Sequence, residues 1–184
     1  MLFLSEAHGT QMLPSDETNT LYVSLLPTQL CSMQIFQHVM DANLHSIIPE
    51  DQLEIYPQSD YHTTVVYSRE GGSALYQYSL TVNNGSTITH VIEAEPEAFA
   101  MLGDCLVLIL KSESLQALFK EYVDRGATFD YPEYTPHISI AKFTDACVSP
   151  TKYVCELFAA LNCEDFEFEK IRYRAMTTEP LKVD

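Results

Sequence analysis

Residues 61–68 read YHTTVVYS, and residues 135–143 read TPHISIAKF. Each stretch is rich in β-branched and apolar residues, and each carries a histidine with a hydroxyl two places further on. These are His62-Thr63-Thr64 in the first and His137-Ile138-Ser139 in the second. Such composition predicts strands. On a strand, residues i and i+2 project to the same side. His62 and Thr64 therefore share one face, and His137 and Ser139 share another. His8-Gly9-Thr10 fits the same bare pattern but lies in a polar stretch with a glycine and no strand, and is set aside.

What precedes the two stretches is alike. Leu21–Leu26 (LYVSLL) reads as a strand ended by Pro27, and Thr28 is placed to cap a helix running to about Leu44. Met33, Phe36, Val39 or Met40, and Leu44 fall on one face of that helix. Cys105–Lys111 (CLVLILK) reads as a buried strand, and Ser112 or Ser114 caps a second helix. Its stripe is Leu115, Leu118, Phe119, Tyr122 and Val123, and Gly126 is a plausible stop. Each unit is thus a strand, a helix, a loop and a strand opening on histidine, an internal repeat of architecture.

Other elements fill the remainder. Leu53–Tyr56 reads as a short strand. Leu75–Val82 and Thr87–Ala94 read as a hairpin turning on Asn83-Asn84-Gly85. A third helix spans about Ser149 to Leu161, and Phe166–Met176 alternates as a strand does. The expected class is α+β: two mainly antiparallel sheets with flanking helices, arranged as two pseudo-symmetric lobes around a central cleft. Residues 21–184 form one such domain, and residues 1–20 an N-terminal extension.

The chain has 184 residues, of which 46% are hydrophobic, enough for a core of this size. Ten Lys and Arg stand against 26 Asp and Glu, a formal charge of −16. Long nucleic acids are bound by neutralising many phosphates, so this balance argues against them as partners. A small anion remains compatible with a locally positive pocket. No apolar run is long enough for a membrane helix, and the N-terminus lacks the basic start and apolar centre of a secretion signal. The five cysteines follow no zinc spacing and read as reduced thiols of a cytoplasmic protein.

If the two units face each other, the cleft holds two imidazoles and two hydroxyls. One imidazole can take a proton from an attacking hydroxyl or water while the other protonates the leaving oxygen. Thr64 and Ser139 can donate hydrogen bonds to phosphoryl oxygens as charge develops. This chemistry calls for no metal and no cofactor.

On these residues the chain resembles the two-histidine (2H) phosphoesterase superfamily, whose two signature strands carry paired His-x-[Thr/Ser] motifs. Within it, LYVSLLP, DYHTTVVYS and GATFDYPEYTPHISIAKF resemble the phage anti-CBASS phosphodiesterases, which degrade the cyclic di- and trinucleotide signals of a bacterial defence system. The resemblance covers most of Leu21 to about Met176. It implies a bilobal 2H-phosphoesterase-like fold with His62, Thr64, His137 and Ser139 catalytic; the second motif ends here in Ser in place of the commoner Thr. It implies attack on a 3′–5′ linkage by the ribose 2′-hydroxyl through a 2′,3′-cyclic intermediate, in the host-cell cytoplasm. Tyr22 matches a substrate-contacting tyrosine, and Glu167 or Glu169 a glutamate that contacts a base. An aromatic lid stacks on a base in that group. This chain has no Trp, so Phe99 or an aromatic of the 129–134 loop, such as Tyr134, would serve. The alternatives are a 2H enzyme acting on RNA ends with 2′,3′-cyclic phosphates, and a non-catalytic cyclic-nucleotide sponge.

Overall fold

The structure, a computed structural model, describes residues 21–69, 74, 75, 78, 92–147, 149–162 and 171–179. Strand β1 (Leu21–Pro27) buries Leu21, Val23 and Leu25. Thr28 ends it: its backbone is extended, and its hydroxyl accepts the Cys31 N–H, so α1 (Gln29–Asp41) starts at the next residue. After β2 (Leu53–Ile55) comes β3 (Thr63–Ser68), the first histidine strand. Strands β4 (Ile92–Leu102) and β5 (Cys105–Lys111) form a hairpin on Gly103-Asp104, with Gly103 at φ 62 in the first turn position.

Helix α2 (Glu113–Asp124) is capped by the Ser112 hydroxyl, which accepts the Leu115 N–H. It is closed by Gly126 at φ 96, after which the Ala127 N–H returns to the Tyr122 carbonyl. Strand β6 (His137–Phe143), helix α3 (Pro150–Ala160) and strand β7 (Ile171–Glu179) complete the described elements. None of the described helices is long and apolar enough to cross a membrane.

All pairings are antiparallel, in the order β2-β6-β3-β1-β7-β4-β5, with β5 also paired to β6. The two expected units are visible as β1–α1–β3 and β5–α2–β6. The two sheets expected of them are hydrogen-bonded into one, joined at β7–β4 and at β3–β6. The β3–β6 seam is a single ladder pair, Thr63 with Ile138. Both residues are fully buried, alongside Val65, Val66, Leu106, Leu108 and Ile140.

Several expectations are corrected. Leu75 does not open a strand: Ala74, Leu75 and Tyr78 are helical. The i, i+3 spacing turns both Leu75 and Tyr78 inward, whereas strand alternation would send them to opposite faces. Leu75 joins the core, and Tyr78 packs edge-on to Tyr122 with the Arg125 guanidinium 3.8 Å over its ring. Burial first, and then a hydrogen bond to Glu121, pushes the Tyr78 phenol up to about 12. The Asn83-Asn84-Gly85 turn lies outside the described residues, and β4 runs on past the expected end at Ala94 to Leu102.

Helix α1 ends at Asp41, before Leu44, and its buried stripe is Cys31, Ser32, Ile35 and Val39. Met33 and Met40 point to solvent. Val39 and Phe36 of the expected stripe do face the core, and of the choice between Val39 and Met40 the buried one is Val39; the helix is apolar on more than one side, so periodicity alone does not exclude Met33. Cys31, Cys105, Cys147 and Cys155 are free thiols; Cys163 lies outside the described residues.

Tyr61, one residue before the first histidine, is 2% exposed, and its hydroxyl finds no partner among the described residues. A buried unsatisfied hydroxyl costs about 1–3 kcal/mol. Tyr61→Phe should therefore match or exceed the wild type in urea denaturation, by about 1 kcal/mol. A loss of that size would reveal a partner for the hydroxyl.

Candidate functional site

Thr63 and Ile138 face the core, so the residues on either side of them face away from it. Extending the register by one residue in each direction sets His62 across from Ser139 and Thr64 across from His137. The two imidazoles take one diagonal of this square and the two hydroxyls the other. Diagonal neighbours on antiparallel strands lie about 7–8 Å apart, room for a tetrahedral phosphate between the rings. All four residues are partly exposed.

Each ring is held in the same way. His62 Nδ1 lies 2.7 Å from the Asp60 carbonyl oxygen, and His137 Nδ1 lies 2.7 Å from the Thr135 carbonyl oxygen. A carbonyl only accepts, so Nδ1–H must donate. In the neutral ring the lone pair then sits on Nε2, which has no partner among the described residues. The backbone thus selects the tautomer that presents a base at the far end of each ring. Buried residues precede both histidines, Tyr61 and Pro136, and this fixes the entry of both strands.

Tyr22 reaches the same face from β1. Its hydroxyl lies 2.9 Å from Thr64 Oγ1, and its ring stands edge-on to His62 at 6.1 Å. Tyr134 is brought to the seam, but its hydroxyl donates to the Thr64 carbonyl oxygen and its ring stacks on Phe119 at 4.3 Å. One face of that ring is therefore occupied.

Phe99 is not brought to the site. It pairs across the sheet with Leu108, Leu108 with Ile138, and Ile138 with Thr63, so all four share the core face. Phe99 is 6% exposed and stacks on His38. Glu167 and Glu169 lie outside the described residues.

Sequence reading missed Ser24, buried on β1 directly across from Thr64. It also missed Tyr67. Simple alternation places residue 67 on the face opposite Thr64. A β-bulge at Val65 inverts this, because Ser24 pairs with Thr64 while Tyr22 pairs with Tyr67. Val65 and Val66 both turn to the core, and Thr64 and Tyr67 both turn to the site. A bulge has no residue signature here that would have announced it.

On the β5 side, a cavity of about 430 Å³ reaches Pro136, the residue before His137, and is lined in part by Ile109, Lys111, Glu113, Gln116, Tyr134 and Thr135. Its size lies within the range of small-ligand sites. Among the described residues, no group of three or more His, Cys, Asp and Glu is placed to hold a metal ion.

A seven-stranded antiparallel sheet with two carbonyl-anchored histidines across one seam has the two-histidine phosphoesterase fold. Solved structures agree at the level of fold. The MHV ns2 PDE domain superposes with a TM-score of 0.56 at 13% identity, over 88% of this chain and 99% of that one. Kluyveromyces marxianus Usb1 gives 0.55 at 10% identity, over 89% and 94%. The sequence profile of the family described as anti-CBASS protein Acb1 matches residues 19–168, and the chain belongs to that family. The anti-CBASS protein Acb1 of Escherichia phage RB16 is 30% identical over 80 residues, a match spanning 44% of this chain and 43% of the phage protein.

The carbonyl anchors predict that, when neutral, both His62 and His137 are protonated at Nδ1. Long-range ¹H–¹⁵N spectra should show an unprotonated Nε2 on each ring at alkaline pH. An Nε2–H signal from either would contradict the assigned hydrogen bond.

Proposed function

We propose that this cleft hydrolyses the 3′–5′ linkages of cyclic di- and trinucleotide defence signals by acid–base catalysis between His62 and His137. The observation that carries the reading is the crossed square: anchored imidazoles on one diagonal and hydroxyls on the other, in a chain of the anti-CBASS family. A phosphate centred there meets a base, an acid and two hydrogen-bond donors.

One Nε2 takes the proton of the ribose 2′-hydroxyl as its oxygen attacks phosphorus. The other histidine, protonated, gives its proton to the departing 5′-oxygen. This breaks the P–O5′ bond and leaves a 2′,3′-cyclic phosphate. Water then opens that ring with the two roles exchanged. Thr64 and Ser139 donate to the non-bridging oxygens, where transition-state charge accumulates. Tyr22 orients the Thr64 hydroxyl through their shared hydrogen bond. The cavity beside His137 has room for one nucleoside of the ligand. Because the work is proton transfer and hydrogen bonding, the activity needs no cofactor. The enzyme acts in the cytoplasm of the host cell, where the signals are made.

His62→Ala and His137→Ala should each lower turnover of a cyclic dinucleotide by about 10²–10⁴-fold, with circular dichroism and melting unchanged. Full activity in either variant would remove that residue from the mechanism. EDTA should leave the wild-type rate unchanged, and loss of activity that zinc or magnesium restores would replace this chemistry with a metal-dependent one. Ligand held at one equivalent and recovered uncut would instead identify a sponge.

A further inference from the structure

Beyond Thr64, the site face of β3 continues through the bulge to Tyr67 and Arg69. Tyr67 is 39% exposed and stands edge-on to Tyr22 at 6.2 Å. The Arg69 guanidinium lies 5.9 Å from the Tyr67 ring centroid. Its Nε donates to Asp130 at 2.9 Å, which orients the planar fork. Its terminal nitrogens find no further partner among the described residues, and its side chain is 65% exposed. The segment carrying Asp130 is itself fixed to β3, since Thr128 Oγ1 accepts the Arg69 N–H and the Ser68 hydroxyl accepts the Thr128 N–H. An aromatic face and an oriented guanidinium are therefore held together, one ring's width at a time away from His62.

We propose that Tyr67 and Arg69 form a second subsite, which takes the base and the phosphate of the nucleotide next to the scissile linkage. This rests on the phosphodiesterase reading for which linkage is scissile. Bases stack on exposed aromatic rings whatever their identity, and a guanidinium offers a planar, multidentate donor set to phosphate. The charge context sharpens the argument. On a chain of net charge −16 a cation beside the cleft is a scarce group, and although Asp130 offsets the Arg69 charge, the ion pair through Nε orients the fork and leaves its terminal N–H groups to donate. The subsite makes the protein selective for ligands of two or more nucleotides over mononucleotides. It lies on β3, across the seam from the β5 side where the cavity lies, so a two-nucleotide ligand would span the seam.

The test measures binding by calorimetry in EDTA, in a His137→Ala background that prevents turnover. The probes are 3′,3′-cyclic di-AMP and 2′,3′-cyclic AMP. Tyr67→Ala and Arg69→Gln should each weaken the dinucleotide by about tenfold or more, while the mononucleotide changes by less than about twofold. Equal losses on both ligands mean a general effect on the fold and overturn the subsite. Unchanged dinucleotide affinity overturns it too, as does a background that binds both probes equally well. Turnover by the otherwise wild-type chain is read separately. Selective binding without cleavage keeps the subsite and ends the phosphodiesterase reading. Cleavage that ignores Tyr67 and Arg69 keeps the phosphodiesterase and ends the subsite.

Discussion

The site depends on a single backbone pairing, Thr63 with Ile138. Everything on the cleft face is defined against it. Because these two side chains are buried without residual exposure, their neighbours on both strands are driven to the other side. A slip of β3 by one residue would send His62 into the core and bring Thr63 out, and a slip of β6 would do the same to His137 and Ile138. One ladder pair is a slender hold, and side chains reinforce it. The Tyr134 hydroxyl reaches the Thr64 carbonyl, Thr128 engages both Ser68 and Arg69, and Arg69 pairs with Asp130. The loop that delivers His137 is thus stitched along the strand that carries His62. The hydrogen bonds within the two halves, β1 with β3 and β5 with β6, supply the rigid backing.

How much of this was legible in the sequence follows from which signals are local. Thr28 and Ser112 act through hydroxyls on N–H groups three residues on, and Gly126 through its own backbone, so each ends or begins a helix where reading places it. The two histidine strands declare themselves by composition, and i, i+2 alternation puts each hydroxyl beside its imidazole. What alternation cannot report is an interruption of itself. The extra residue at Val65 moves Tyr67 onto the functional face, and nothing in VVYS distinguishes a bulged strand from a regular one. Phe99 fails for the opposite reason. Its face is set by lateral pairing through β5 to Ile138, a relation between distant segments that no window of sequence contains. Leu75 and α1 show a third limit. Where apolar residues fit two periodicities or two faces, the choice falls to what packs against them, here Tyr122 and Arg125 for the first.

The acidity of the chain and the chemistry of its cleft are reconciled by placement. The charge of −16 is spread over the sequence, whereas the groups on the cleft face near the seam are imidazoles, hydroxyls and phenols. Lys142, on the second histidine strand, is engaged by Asp104 and sits at the far end of that strand from His137. Arg69 is at the other margin, where β3 ends. A net charge of this sign discourages extended polyanions, while the seam offers hydroxyl and imidazole groups at short range.

The two rings hang from the same kind of support, a main-chain oxygen two residues upstream, and among the described residues neither Nδ1 is held by a carboxylate. Catalytic triads assign direction by giving one imidazole an acidic neighbour. Here the two anchors are alike, so they encode no forward or backward sense of their own, and the difference between the rings lies in their surroundings, with Tyr22 beside His62 alone. Handedness must be imposed from outside the pair, by how the ligand's sugars are seated. Two rings that present the same tautomer across one cleft are also interchangeable as base and acid, so neither role is fixed by the anchor itself.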